Sequence, residues 1–226
     1  MYYLAVLLGQ FIAVMVVITL HEFAHAYAAY KCGDPTAKMM GRLSLNPLKH
    51  FDLLGMVLFA FVGFGWAKPV PVNPDNFRNF RKGNFWTSVS GVLVNYISAF
   101  LFYPLFLLTV INLLPLIDGT YMYPFLHSLT RGLVVFSLTF CIFNLLPLYP
   151  LDGFGLLEAT TTKRGKLYWF LRRYGQLILL GLVIIHYLSS RIPFLGYIDI
   201  LGYILNFAVN IFGWPITAFW TWIFGI

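Results

Sequence analysis

Residues 2–25 read YYLAVLLGQFIAVMVVITLHEFAH, and this stretch decides the fold class. Tyr2 to Leu20 carries no charged side chain. A helix needs about 20 such residues to cross a bilayer. The run leads without a break into His21-Glu22-Phe23-Ala24-His25. Ionisable groups at the end of an apolar span are expensive and mark a functional site by default. The pattern predicts a first spanning helix over about residues 3–30, with its chemistry on its last turns.

The rest of the chain agrees in composition. Sixty per cent of the 226 residues are apolar and 19% are aromatic. Only 10% are charged, against about 25% in an ordinary soluble domain. Mean hydropathy is +0.79. This excludes a free-standing soluble enzyme, a disordered chain and a secreted disulfide scaffold. The net charge of +7 does not indicate nucleic acid, because the basic residues lie between apolar spans as loops do. Cys32 and Cys141 have no metal-type spacing and are read as free thiols. The first apolar run lacks a basic n-region and continues into the HExxH stretch, so no cleavable signal peptide is expected.

Four further spans follow from uncharged runs at about 87–114, 133–151, 176–189 and 201–224. Leu53 to Gly65 is also apolar but only 13 residues long, with three glycines, which fits a re-entrant segment better than a crossing. The basic residues test this layout. Lys31, Lys38, Arg42 and Lys49 fall in one loop, and Lys68, Arg78, Arg81 and Lys82 in the next. Lys163, Arg164, Lys166, Arg172 and Arg173 fall in a third. Only Arg131 and Arg191 lie elsewhere. If 53–65 turns back, all three loops share one side, and the positive-inside rule makes that side cytoplasmic. The expected fold is therefore an all-α polytopic membrane protein. It has five to six transmembrane helices and a re-entrant or short β segment after the first. Residues 1–226 are expected to form one domain, with a core over about 1–155 and C-terminal helices over about 175–226. Gly41-Arg-Leu-Ser-Leu-Asn-Pro47 alternates like a short strand. Trp66 to Pro74 holds three prolines and is expected to be extended.

The HExxH spacing has a direct chemical reading. On a helix, positions i and i+4 are about 40° apart, so both imidazoles address one point. Two neutral imidazoles and a third ligand leave zinc one open position for water. Zinc lowers the pKa of that water to about 7. Glu22 lies beside the pair, where it could take the proton. Asp152, Glu158, His50 and His127 are candidates for the third ligand. Asp152 is preferred, because the 133–151 span runs inward to a comparable depth and Pro147 and Pro150 open the backbone there.

Together, His21-Glu-Phe-Ala-His25 and Asn144-Leu-Leu-Pro-Leu-Tyr-Pro-Leu-Asp-Gly153 resemble the site-2 protease family of intramembrane zinc metalloproteases. That family pairs HExxH with NxxPxxPLDG in this order. Gly91-Val-Leu-Val-Asn95 is similar to its GxxxN element. Gly33–Lys38, Gly41–Pro47 and Trp66–Val72 resemble its short bacterial and archaeal subgroup. The resemblance covers about residues 10–155. Tyr149 stands where many members have proline. At this length there is no room for the peptide-binding PDZ domain or nucleotide-sensing CBS domain that some members carry.

The resemblance implies that His21, His25 and Asp152 bind zinc and that Glu22 is the base. Asn144 would contact the substrate backbone or the developing oxyanion, and Asn95 would line the site. The implied reaction is hydrolysis of a peptide bond in or near a transmembrane helix of another membrane protein. The implied location is the cytoplasmic membrane, in contact with the lipid bilayer, with the site toward the cytoplasm. A substrate held open by strand pairing would need an edge, which 41–47 or 66–74 could supply. Two rival functions are a zinc-dependent hydrolase of lipids or small amphiphiles, and a transporter or scaffold with a structural metal. The remaining polar and aromatic landmarks have plainer readings. His50 and Asp52 are local polar contacts, and His127 and His186 do not reach the metal. Trp214, Trp220 and Trp222 read as interface anchors, and the 163–173 loop as a contact for anionic headgroups.

Overall fold

The computed structural model describes residues 1–52, 54, 55, 67–113 and 120–226. Five helices are long and apolar enough to cross a membrane. We label the helices α1 (Tyr2–Cys32), α2 (Thr36–Met39), α3 (Phe80–Leu108), α4 (Met122–Asn144), α5 (Asp152–Thr160), α6 (Lys166–Ser189), α7 (Pro193–Gly196) and α8 (Ile200–Phe224). The chain is an all-α polytopic membrane protein. No strand occurs among the described residues, only an isolated antiparallel bridge between Phe51 and Ala67. The 41–47 stretch is bends and turns rather than a strand. Asn46 is the reason: its side chain accepts from the Leu48 N–H and starts a 3-10 turn at Pro47.

Helices α1, α3 and α4 pack on one another and form the centre of the bundle. Ala13, Val17 and Leu133 join α1 to α4, while Ala99, Val134, Leu138 and Ile216 join α3, α4 and α8. The short α5 lies against α3. Helix α6 is peripheral and mostly exposed, as suits a lipid-facing surface. Three helices begin well before their uncharged runs: α3 starts at Phe80 and carries Arg81 and Lys82 in its first turn. α4 starts at Met122 and passes through Arg131, whose side chain is exposed; α6 starts at Lys166 and carries Arg172 and Arg173 in its first turns. α4 also ends at Asn144, well before the expected boundary at 151. Asp152 consequently opens a new short helix instead of closing a span.

Whether 53–65 re-enters or crosses lies outside the described residues. Its flanks are nonetheless adjacent: the Lys68 N–H donates to the His50 carbonyl at 2.9 Å, beside the Phe51–Ala67 bridge. Both flanks thus lie at one end of the bundle. At that same end Arg42 meets Lys68, and the Asn84 amide donates to the Gly155 carbonyl at 3.1 Å. The three basic loops therefore gather there.

Trp220 differs from its expected role. Trp214 and Trp222 are 70% and 76% exposed, as interface anchors would be. Trp220 instead packs inward on Phe100. Pro104 lies inside α3 and has no N–H, so it leaves the carbonyl four residues earlier, that of Phe100, without its helical donor. The Trp220 indole N–H donates to that carbonyl at 2.8 Å. In hydrocarbon no water can substitute. Trp220→Phe is expected to cost about 1–3 kcal/mol, read as a lower unfolding midpoint in detergent. Trp214→Phe should change it by less than about 0.5 kcal/mol; equal effects would refute the assignment.

Candidate metal centre

The last third of α1 places His21 and His25 on the face turned toward α3. Both are buried, at 6% and 9% exposure. Their Nε2 atoms lie 2.9 Å apart, and the rings meet edge to face. Asp152 Oδ2 lies 3.5 Å from His21 Nε2 and 3.3 Å from His25 Nε2. One ligand atom from each of the three falls within 4.8 Å of the others. Asp152 reaches this point because the loop after α4 turns the chain back and α5 begins at that residue.

The second nitrogen of each ring indicates its tautomer. His25 Nδ1 is 2.7 Å from the Thr87 carbonyl. A carbonyl only accepts, so Nδ1 carries the proton and Nε2 has a free lone pair. His21 Nδ1 is 3.0 Å from the side-chain amide of Asn95. That side chain is wholly buried, and its Oδ1 lacks a partner in the orientation shown. Amide O and N are interchangeable by assignment, and turning the group puts Oδ1 on an Nδ1–H. Both imidazoles would then offer lone pairs from Nε2 to one spot.

Three observations test whether a metal fits. First, Asp152 Oδ2 is buried and has no hydrogen-bond donor. Buried carboxylate oxygens are almost always satisfied. Secondly, in these tautomers of the neutral rings, two lone-pair nitrogens and a carboxylate oxygen would converge with no proton among them, which is a repulsive arrangement unless a cation sits there. Thirdly, Gly91 clears the space. A Cβ at that position would lie 2.5 Å from His25 Nε2 and 2.7 Å from His21 Cε1. The donor set, two imidazoles and one carboxylate, suits zinc and leaves room for a further ligand.

Glu22 follows His21 but points elsewhere. Its Oε2 accepts the Val70 N–H at 2.7 Å. Val70 belongs to a strap, residues 67–76, which is extended as far as Asn73, closes in a 3-10 turn at Pro74–Asn76 and passes over this part of α1. Pro69 and Pro71 keep its extended part out of helix, whereas Pro74, expected to be extended, opens the 3-10 turn. The strap is a poor pairing edge, since its Lys68, Val70 and Asn73 amides are engaged and its prolines have none.

The remaining sequence candidates lie elsewhere. Glu158 accepts from the Tyr168 hydroxyl and from Arg172, and pairs with Arg164. The His50 ring donates through Nε2 to the Ser44 carbonyl at 2.6 Å. His127 packs on Phe106 and Tyr123, and His186 pairs with Asp199. Asn144 donates to the Phe140 carbonyl of its own helix and is not among the converging side chains. Asn95 stands behind His21, at its Nδ1.

Sequence reasoning missed the Thr87 carbonyl, the Val70 amide and Asp34. A main-chain partner leaves no trace in residue type. Gly91 was visible as part of a pattern. A glycine inside a helix costs about 1 kcal/mol relative to alanine and so signals a packing reason. Asp34 was visible as an Asp two residues before Thr36, a turn signature.

No family model matches the chain, and no solved structure matches it. Two curated relatives do. The chain is 42% identical over 154 residues to "Putative zinc metalloprotease YwhC" of Bacillus subtilis (strain 168), covering 65% of this chain and 66% of the relative. It is 27% identical over 150 residues to "Putative zinc metalloprotease Rip2" of Mycolicibacterium smegmatis (strain ATCC 700084 / mc(2)155), covering 62% and 52%. The match thus spans just under two thirds of the first relative's length and about half of the second's.

Proposed function

We propose that this chain is an intramembrane zinc metalloendopeptidase of the site-2-protease-like kind, a reading supported by its homology to two relatives named as zinc metalloproteases. Its substrate is a membrane protein cut in or near a transmembrane helix. The observation that carries the reading is the buried His21–His25–Asp152 cluster, with its orphan carboxylate oxygen, on helices long enough to span a bilayer.

In this mechanism His21, His25 and Asp152 hold the metal. When bound, zinc supplies a Lewis acid and makes water acidic enough to deprotonate near neutral pH. Glu22 takes the proton as the water oxygen attacks the scissile carbonyl carbon. It returns that proton to the amide nitrogen as the carbon–nitrogen bond breaks. Thr87 and Asn95 hold the two imidazoles in the tautomers that direct Nε2 inward. Burial in the bundle excludes bulk water and strengthens each of these interactions. The basic loops gathered at the cluster's end support a cytoplasmic-side site in the cell membrane.

The test is bound zinc and cleavage measured together on detergent-solubilised protein, with membrane-spanning peptides and lipid esters as alternative substrates. The wild type should carry about one zinc per chain and cut the peptide only. Asp152→Ala should lose zinc and cleavage together. Ester hydrolysis without peptide cleavage, or full zinc occupancy in Asp152→Ala, would overturn the reading.

A further inference from the structure

Three buried ionisable residues take no part in the mechanism above. Asp34 is 0% exposed, His50 is 0% and Arg42 is 6%. Burying such groups is expensive unless each is paired or hydrogen-bonded. Asp34 and Arg42 hold one segment through their side chains, and His50 holds it through its main chain. The Arg42 guanidinium donates to the Lys68 carbonyl at 2.5 Å. The His50 carbonyl accepts the Lys68 N–H at 2.9 Å. Asp34 accepts the Asn73 N–H at 2.7 Å and the Asn76 side-chain amide at 2.8 Å. Asp34 also accepts from the Thr36 N–H and hydroxyl. Burial alone would push the Asp34 carboxyl up, but the bonds from Asn76, Thr36 and Asn73 hold it below the ordinary carboxylate range.

The strap is thus pinned at Lys68 on one side and at Asn73 and Asn76 on the other. Between the pins run Pro69-Val70-Pro71. Proline has no N–H, so Val70 supplies the one amide donor of this tripeptide. That donor meets the Glu22 carboxylate. The flanking prolines also stiffen the backbone, so the donor's direction is set by the pins.

We propose that the strap is the positioning element of the catalytic base: Asp34, Arg42 and the His50 carbonyl fix residues 67–76 so that the Val70 amide holds the Glu22 carboxylate in its working orientation. Val70 and Asp34 are positioning residues and touch neither substrate nor metal. The proposal rests on the reading of Glu22 as the base. A misplacement of about 1 Å in a reacting group can cost about 100-fold in rate. An unpinned Glu22 therefore loses rate while substrate affinity and metal binding persist.

The test compares Val70→Pro, which deletes the donor in a stretch already extended, with Val70→Ala, which keeps it. Zinc-loaded Val70→Pro should have a kcat about 10- to 100-fold below that of Val70→Ala. KM should agree within about threefold, and zinc content should be equal. Asp34→Ala, outside the site, should lower kcat in the same way. A second measurement needs no activity: hydrogen exchange at the Val70 amide should be slow in the wild type and in Glu22→Gln, and faster in Glu22→Ala. Equal kcat for the two Val70 variants, zinc loss in Val70→Pro, or unchanged exchange in Glu22→Ala would each overturn the proposal. If the wild type cuts no peptide, the proposed function fails and the exchange arm still decides the positioning.

Discussion

Glu22→Gln is expected to bind zinc at the wild-type stoichiometry and to cleave about 10²- to 10⁴-fold more slowly, the usual loss when a general base is removed. Glutamine matches the size of glutamate, and its Oε1 can still accept the Val70 N–H that Glu22 accepts at 2.7 Å. The substitution therefore preserves the orientation of the side chain. It removes only the capacity to take a proton. His21, His25 and Asp152 are untouched, so metal content should not change. The comparison must be made at one pH and in one detergent, because metal affinity itself depends on pH. Near-normal peptide cleavage by Glu22→Gln would remove Glu22 from the mechanism.

Gly91→Ala should show the opposite separation. The added Cβ would stand 2.5 Å from His25 Nε2 and 2.6 Å from His25 Cε1. These contacts are too close for any real Cβ, so a ring must move. Neither ring moves freely: His25 is tied to the Thr87 carbonyl and His21 to Asn95. We expect zinc affinity to fall at least about 100-fold, the upper end of what loss of an outer partner causes. Cleavage should fall with it. The metal-free variant should remain folded, because alanine is a better helix former than glycine by about 1 kcal/mol. Zinc titration beside thermal unfolding of the metal-free protein measures both. Wild-type zinc affinity in Gly91→Ala would mean that the metal sits away from Gly91.

These two results would separate the parts of the site that the sequence disclosed from those it hid. His21 and His25 were readable because helix geometry alone brings i and i+4 together. α1 and α8 were readable because Tyr2–Leu20 and Leu201–Phe224 carry no charged side chain. α3, α4 and α6 were set too late because Arg81, Lys82, Arg131, Arg172 and Arg173 interrupt the uncharged window while remaining compatible with helix. Arg172 and Arg173 lie in the first turns of α6, where cationic side chains can reach the interface. Asp152 was placed correctly in depth but on the wrong kind of element. The prolines at 147 and 150 were read as opening a helix that has already ended at Asn144. The engagement of Glu22 by Val70 joins residues 48 positions apart through a main-chain donor. No residue pattern encodes such a contact. The prolines flanking Val70 were visible, but only the fold shows what they leave free.

The pairing of Pro104 with Trp220 binds two distant positions into one inheritance. A proline at 104 creates a demand for a donor that only another helix can meet, and the indole of α8 meets it. While Pro104 remains, Trp220 cannot drift without stranding that carbonyl. Replacing Pro104 by a residue with its own N–H would release Trp220 to vary, whereas losing the indole first would not be tolerated so easily. Substitution at the two sites thus has a preferred order. The C-terminal helix is bound through this debt to the helix that carries Gly91 and Asn95.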